Sequence, residues 1–184
     1  NMEKEIYNLN KYLRKPKKPL TAIVGGAKME SKINLIRNLV NKCNFLILGG
    51  GVANTFLKSN KINIGKSIYE KKQINNALYI QEIAKKNNCE IILPIDVIVS
   101  SKLKSINIDQ INRKDKILDL GNKTLELISI IINNSKTLIW SGPIGYFEKK
   151  PYDKGTNKLA NLINSKKKIV SIAGGGDTIA ALKK

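Results

Sequence analysis

The sequence predicts an α/β domain whose mainly parallel sheet carries helices on both faces. Three observations lead there. Short β-branched runs alternate with amphipathic stretches of helical period along the chain. Runs such as "IVSIA" and "FLILG" are apolar at nearly every position, as strands covered on both sides must be. Four runs end in glycine, "AIVGG", "LILGGG", "LIWSGPIG" and "VSIAGGG", and open parallel sheets bind ligands outside the carboxyl ends of their strands.

In chain order, residues 3–14 read as a modest helix with Ile6, Leu9 and Leu13 on one face, stopped by the prolines of "RKPKKP". "LTAIV" is a short strand ending in Gly25 and Gly26, and a helix with Ile33, Ile36, Leu39 and Val40 follows. "NFLILGGGVANTFL" is strand, three glycines and helix start. "EKKQINNALYIQEIAKKNN" is a long amphipathic helix with Ile74, Leu78, Ile83 and Ala84 inward, leading to "CEIILP" and "DVIV". The stretch "SSKLKSINIDQINRKDK" is polar and irregular, with an apolar end at Ile117–Leu120. "NKTLELISIIINN" is a helix, "KTLIWSGPIGYFE" a strand with a Gly-Pro-x-Gly turn, and "GTNKLANLIN" a further helix. "IVSIAGGGDTIAAL" closes the series.

A chain of 184 residues is enough for one domain with a real core. No apolar run reaches the ~18 residues of a membrane span, and "NMEKEIYNLN" is too polar for a secretory signal. Cys43 and Cys89 stand far apart in sequence and there is no histidine. Zinc spacings and Ser-His or Cys-His nucleophile systems are thereby excluded, and each cysteine reads as a small core hydrophobe in a reducing cytosol. The formal charge of +19 is nearly all lysine, spread along the chain, with arginine only at Arg14, Arg37 and Arg113. Guanidinium forks and aromatic platforms, the usual means of reading bases, are scarce. A basic field still favours an anionic metabolite.

A lone glycine pair after a strand needs no more than a tight turn. Two triple-glycine runs with the Gly-Pro-x-Gly turn point to a ligand rim, because bare backbone N–H groups approach an anion closely. Neither the Walker pattern nor the dinucleotide fingerprint occurs: Asn54 and Glu30 stand where a third glycine belongs. Lys28 and Lys32, four apart, share a face if "GGAKMESK" is helical. Two ammonium groups at a helix start oppose its dipole unless a polyanion binds there. Asp177 is either a helix N-cap or a carboxylate facing nucleotide-bound magnesium. Glu148 is either solvated or an acceptor for ribose hydroxyls.

"AIVGGAKMESKI", "LILGGGVANTFL", "GKSIYE", "LPIDVIV", "ILDLG", "LIWSGPIGYFE", "KGT" and "SIAGGGDT" occur in this order and cover nearly the whole chain. The set resembles the C-terminal, nucleotide-binding half of bacterial-type phosphoglycerate kinase. The resemblance implies a Rossmann-like three-layer domain. It also implies a cytoplasmic, glycolytic phosphotransferase, moving a phosphoryl group reversibly between 1,3-bisphosphoglycerate and ADP to give 3-phosphoglycerate and ATP, with Mg2+. By the same resemblance Lys28, Lys32 and Gly175 act on the transferring group and the nucleotide phosphates. Gly25, Gly26, Ala27, Gly49, Gly50 and Gly51 wall the adenine pocket, and Gly121 contacts the base. Pro143, Gly145 and Glu148 lie beneath base and ribose. Gly174, Gly175, Gly176, Asp177 and Thr178 form the phosphate loop, with Asp177 toward magnesium.

Acyl phosphate to phosphate oxygen transfer needs no proton abstraction, so positioning and charge neutralisation suffice and histidine is dispensable. Lysine suits this as a mobile point charge. Three departures stand out. Ser141 replaces the Asn usual in the family's W-N-G-P turn, the phosphoglycerate-binding half is missing, and "IAALKK" stops inside a helix without a cap. The expectation is a nucleotide-binding domain over 1–184, truncated at both ends, that binds Mg-ADP or Mg-ATP as a monomer, touches neither nucleic acid nor membrane, and does not turn over alone. The alternatives are a basic non-catalytic α/β module for nucleic acid, and an α/β enzyme using the rim for a nicotinamide or flavin.

Overall fold

The structure, a computed structural model, describes residues 16–166 and 168–182, without the side chains of residues 177 and 182. The helix expected over 3–14 lies outside the described residues. The elements are β1 (Leu20–Val24), α1 (Ile33–Val40), β2 (Phe45–Leu48), α2 (Gly50–Ser59), α3 (Ile74–Lys86), β3 (Glu90–Ile92) and β4 (Asp96–Val99). There follow β5 (Lys102–Asn107), β6 (Ile117–Leu120), α4 (Asn122–Asn134), β7 (Thr137–Ser141), α5 (Lys154–Asn164), β8 (Val170–Gly174) and α6 (Gly176–Leu182).

Five strands form one sheet in the order β3-β2-β1-β7-β8, parallel throughout. Alternate side chains of β1 leave on opposite faces. Leu20, Ala22 and Val24 pack with Ile36 and Leu39 of α1, Phe56 of α2 and Ile80 of α3. Ile23 turns the other way, to Leu138 and Trp140 of β7, Ile128 of α4 and Leu159 of α5. Helices thus lie on both faces, and β1 and β7 are buried at all five positions each. Burying a side chain such as Phe56 wholly contributes about 1.5–3 kcal/mol. The three layers agree with the sequence expectation.

Three details differ from it. The polar stretch after β4 contains a strand: β5 pairs antiparallel with β4, which pairs antiparallel with β6, in a separate sheet around Val97, Val99 and Ile111. An edge strand with an exposed face needs no apolar run, and Lys102, Leu103 and Lys104 are exposed. In α3 the inward stripe is Ala77, Ile80 and Ala84; Leu78 is 41% exposed, and Ile74 and Ile83 are only half-buried. The expected Ala84 is inward and Ile83 packs against the core, while Leu78 faces out and Ala77 and Ile80 complete the stripe. Finally, β8 is apolar in sequence yet exposed at Val170, Ser171 and Ala173, because among the described residues no strand pairs with its outer side.

Cys43 and Cys89 are buried, as expected of small hydrophobes. They precede β2 and β3, and the parallel pairing of those strands brings the sulfurs to 3.4 Å.

Candidate functional site

From β1 the chain steps through β2 to β3 at one edge, then returns to lay β7 on the other side of β1. Such a reversal opens a crevice at the carboxyl ends of the two central strands. Here the turns after β1, β2 and β7 meet backbone to backbone. A Cβ on Gly25 would stand 2.0 Å from the Pro143 carbonyl oxygen, and one on Gly51 would stand 2.1 Å from the Ala27 oxygen. Gly49 and Gly142 are confined in the same way, by Ile144 and Gly25. The Gly25 amide donates to the Ser141 carbonyl at 2.9 Å, and that of Gly50 to the Ile144 carbonyl at 3.0 Å. Close packing of turns therefore accounts for these glycines. That limits the expectation that the glycine runs point to a ligand rim, since at these three turns packing alone requires them.

The fourth turn is different. A Cβ on Gly174 or Gly176 would meet nothing within 4 Å among the described residues, and neither has positive φ. Neither crowding nor backbone conformation asks for glycine there. The turn is tied inward by Thr178, whose buried hydroxyl donates to the Gly174 carbonyl at 2.7 Å and accepts the Gly142 amide at 2.6 Å. α6 begins at Gly176, so Asp177 lies within its first turn and not at the N-cap position. The Asp177 side chain lies outside what is described.

Beneath the meeting turns is a cavity of about 340 Å³, lined by Gly26, Ala27, Gly50, Gly51, Pro143, Gly145 and Glu148 together with Ile68, Leu118 and Phe147. Its size and apolar walls suit one flat ring system. Helix α2 presents Asn54, which donates to the Ile68 carbonyl at 3.0 Å and so fixes that wall. Glu148 is exposed at the mouth.

Lys28 and Lys32 do not share a helix face. Both precede α1 in a turn closed by the Lys32 amide on the Met29 carbonyl at 2.8 Å, and Lys32 is the N-cap. Lys28 is exposed, and among the described residues its ammonium has no partner. Lys32 reaches across the rim to donate to Ser141 Oγ at 2.9 Å. The unusual serine at the end of β7 thus holds a rim lysine.

Two buried carboxylates support the site. Asp119 accepts the Leu120 amide at 2.9 Å and the Gly155 amide at 2.7 Å, and its carboxylate fills the space a Cβ on Gly145 or Gly155 would need. Burial pushes its pKa up to about 7, against the pull of those two donors. Asp96 caps α4 from β4, accepting the Thr124 amide at 2.7 Å and the Lys123 amide at 3.0 Å. Burial acts to raise it, yet Ser105, Thr124 and the two amides together hold its carboxyl below the ordinary value.

The structure brings Gly26, Ala27, Gly50, Gly51, Pro143, Gly145 and Glu148 together around one cavity. Gly25 lies buried behind that wall. Gly121 is outside it too, at the N-cap of α4, where its missing Cβ makes room for the Asp96 carboxylate. Sequence reasoning passed over Asn54, Asp119 and Ser141's grip on Lys32. A buried asparagine inside the apolar run "GGVANTFL" and the Asp of "ILDLG" were the available signals.

Fold and site together define an α/β domain with a parallel sheet, helices on both faces and an apolar pocket beside a glycine- and lysine-bearing rim. The phosphoglycerate kinase family model matches residues 1–184, and the chain belongs to that family. It is 44% identical over 190 residues to the phosphoglycerate kinase of Rhodopseudomonas palustris, covering 98% of this chain and 48% of the relative. The Caulobacter sp. phosphoglycerate kinase is 42% identical with the same two coverages. The structure of phosphoglycerate kinase from Coxiella burnetii superposes with a TM-score of 0.91 at 39% identity, over 99% of this chain and 48% of that one. That from Pyrococcus horikoshii gives 0.76 at 26%, with the same two coverages. The chain spans about half the length of the curated relatives it matches. Among the described residues, no helix is long and apolar enough to cross a membrane.

Proposed function

We propose that the chain binds the magnesium complex of ADP or ATP, and that it supplies the nucleotide side of phosphoryl transfer between 1,3-bisphosphoglycerate and ADP. The base enters the cavity between Ala27, Gly51 and Pro143, with Glu148 at its mouth to accept from ribose hydroxyls. The phosphates run along Lys28, Lys32 and the Gly174–Gly176 turn. One observation carries the reading: among the described residues, neither crowding nor a positive φ calls for glycine at Gly174 and Gly176. A group that must approach the backbone closely explains them.

Among the described residues no cluster of three or more Cys, His, Asp or Glu stands ready to hold a metal alone. A magnesium that arrives on phosphates needs only one or two carboxylates, and Asp177 is the carboxylate at this turn. When bound, the metal would neutralise phosphate charge. This chain's own residues then position the reactants. Lys32, oriented by Ser141, holds the nucleotide phosphates. Lys28 follows the transferring group as a mobile cation. The attacking oxygen is already an anion and the leaving group a carboxylate, so no side chain has to accept a proton. By the same reading the protein works in the cytoplasm as a monomer on small molecules.

Calorimetric titration with Mg-ADP tests this. Wild-type chain should bind, and Lys32→Ala and Asp177→Ala should each weaken binding by about tenfold or more; unchanged affinity in both refutes the site. In a chain that also carries a phosphoglycerate-binding half, Lys28→Ala should lower kcat far more than nucleotide affinity.

A further inference from the structure

At the opposite end of the sheet from the glycine turns, Cys43 and Cys89 face each other with sulfurs 3.4 Å apart, each 4% exposed. Their backbones are fixed. The Cys43 amide closes the end of α1 on the Leu39 carbonyl, and the Cys89 amide closes the end of α3 on the Ala84 carbonyl. The Glu90 amide donates to the Asn44 carbonyl at 2.8 Å, where β2 and β3 begin to pair. Only side-chain torsions are left to move. Both side chains also pack within the core that lies against β1 and α1. Two sulfurs do not make a metal centre, and no cluster of three or more ligating residues exists among the described residues.

We propose that Cys43 and Cys89 are a modification site: an intrachain dithiol that a hydroperoxide converts reversibly into a disulfide, stapling the ends of α1 and α3. The shared contact and burial drive the Cys43 thiol upward. Attack from either sulfur leads to the same disulfide, by the same steps with the two residues exchanged. With Cys89 first, its thiolate attacks one peroxide oxygen, the O–O bond breaks, and the leaving hydroxide takes up a proton to become water. The Cys43 sulfur then attacks the resulting sulfenic acid at sulfur. The S–O bond breaks, and hydroxide departs with the Cys43 proton as a second water. Two thiols supply two electrons to one peroxide, and a thiol reductant reverses the change. Burial limits the site to small oxidants and makes the step slow, at the rate of local opening.

The test uses the whole chain and dilute hydrogen peroxide under native conditions. Intact mass should fall by about 2 Da, the denatured thiol titre should go from two to none, and a non-reducing digest should join the peptides carrying residues 43 and 89. The thermal midpoint should rise by about 5–15 °C and return with dithiothreitol. Because the pair is remote from the rim, Mg-ADP affinity should stay the same. Cys43→Ala and Cys89→Ala should each abolish the rise, leaving a single oxygenated thiol. Thiols that stay free, that go to sulfinic acid unlinked, or that join two chains would overturn the proposal. So would a disulfide that leaves the midpoint unraised.

Discussion

Gly51 and Gly176 look alike in sequence, each in a triple-glycine run, yet substitution should affect them in opposite ways. In Gly51→Ala the new Cβ stands 2.1 Å from the Ala27 carbonyl oxygen and 2.9 Å from its carbon, and backbone cannot swing aside. Overpacking of this kind costs about 3 kcal/mol, offset by about 1 kcal/mol because alanine suits helix α2 better than glycine. The net loss of about 2 kcal/mol lowers the melting midpoint by about 4–8 °C in a chain of this length. Gly176→Ala places its Cβ in open space at the first residue of α6. Its stability should change by no more than about 1 kcal/mol, in the favourable direction. Its Mg-ADP affinity should fall by about tenfold or more, since the methyl occupies the phosphate's line of approach. Differential scanning calorimetry reads the first quantity and isothermal titration the second. Wild-type affinity in both Gly176→Ala and Gly174→Ala would refute the phosphate-turn reading. A wild-type midpoint in Gly51→Ala would refute the packing account of the other glycines.

Further outcomes follow from the contacts around that rim. Ser141→Ala removes the acceptor that steers Lys32; affinity for Mg-ADP should drop about threefold to tenfold while urea stability moves by less than about 1 kcal/mol. Thr178→Val leaves the Gly142 amide and the Gly174 carbonyl without their shared hydroxyl, and urea denaturation should register a loss of about 1–3 kcal/mol. Asp119, with its folded pKa raised to about 7, contributes stability that is full below about pH 4 and lost as pH rises to about 7. That slope amounts to at most about 4 kcal/mol, and urea titrations of Asp119→Asn across the same range should lack it. Asp96 behaves oppositely. Held below the ordinary value, it contributes above about pH 4, and its share is lost only as acid drives pH through its lowered pKa.

The layers were legible because burial on both faces leaves a strand few polar positions: β2 has none, and the hydroxyls of Thr21 in β1 and of Thr137 and Ser141 in β7 are each hydrogen-bonded. That pattern misleads at the margins. β8 has the same composition but, among the described residues, no strand on its outer side, while β5 is polar and still pairs, since hairpin geometry with β4 supplies its register. Sequence cannot show which neighbour a strand will have. The site divides in the same way. Glycine runs and lysines announced the rim, but their division of labour depends on which turns touch, a matter of backbone positions far apart in sequence, as between Ala27 and Gly51 or Gly25 and Ser141. The thiol pair was hidden for this reason too, being separated by 46 residues and joined only through strand pairing.

Turns that interlock through their main chains have no rotamers to lose. Three of the four glycine turns hold one another by carbonyls and amides, so this wall keeps its shape before any guest arrives and is preorganised. The conformational entropy that association would surrender is then concentrated in a few parts: the long side chains of Lys28 and Lys32, and the turn after β8 that the Thr178 hydroxyl ties to Gly142. On the proposed function, discrimination between ring systems would belong to the rigid wall, and adaptation to the changing number and charge of phosphates to the loose side.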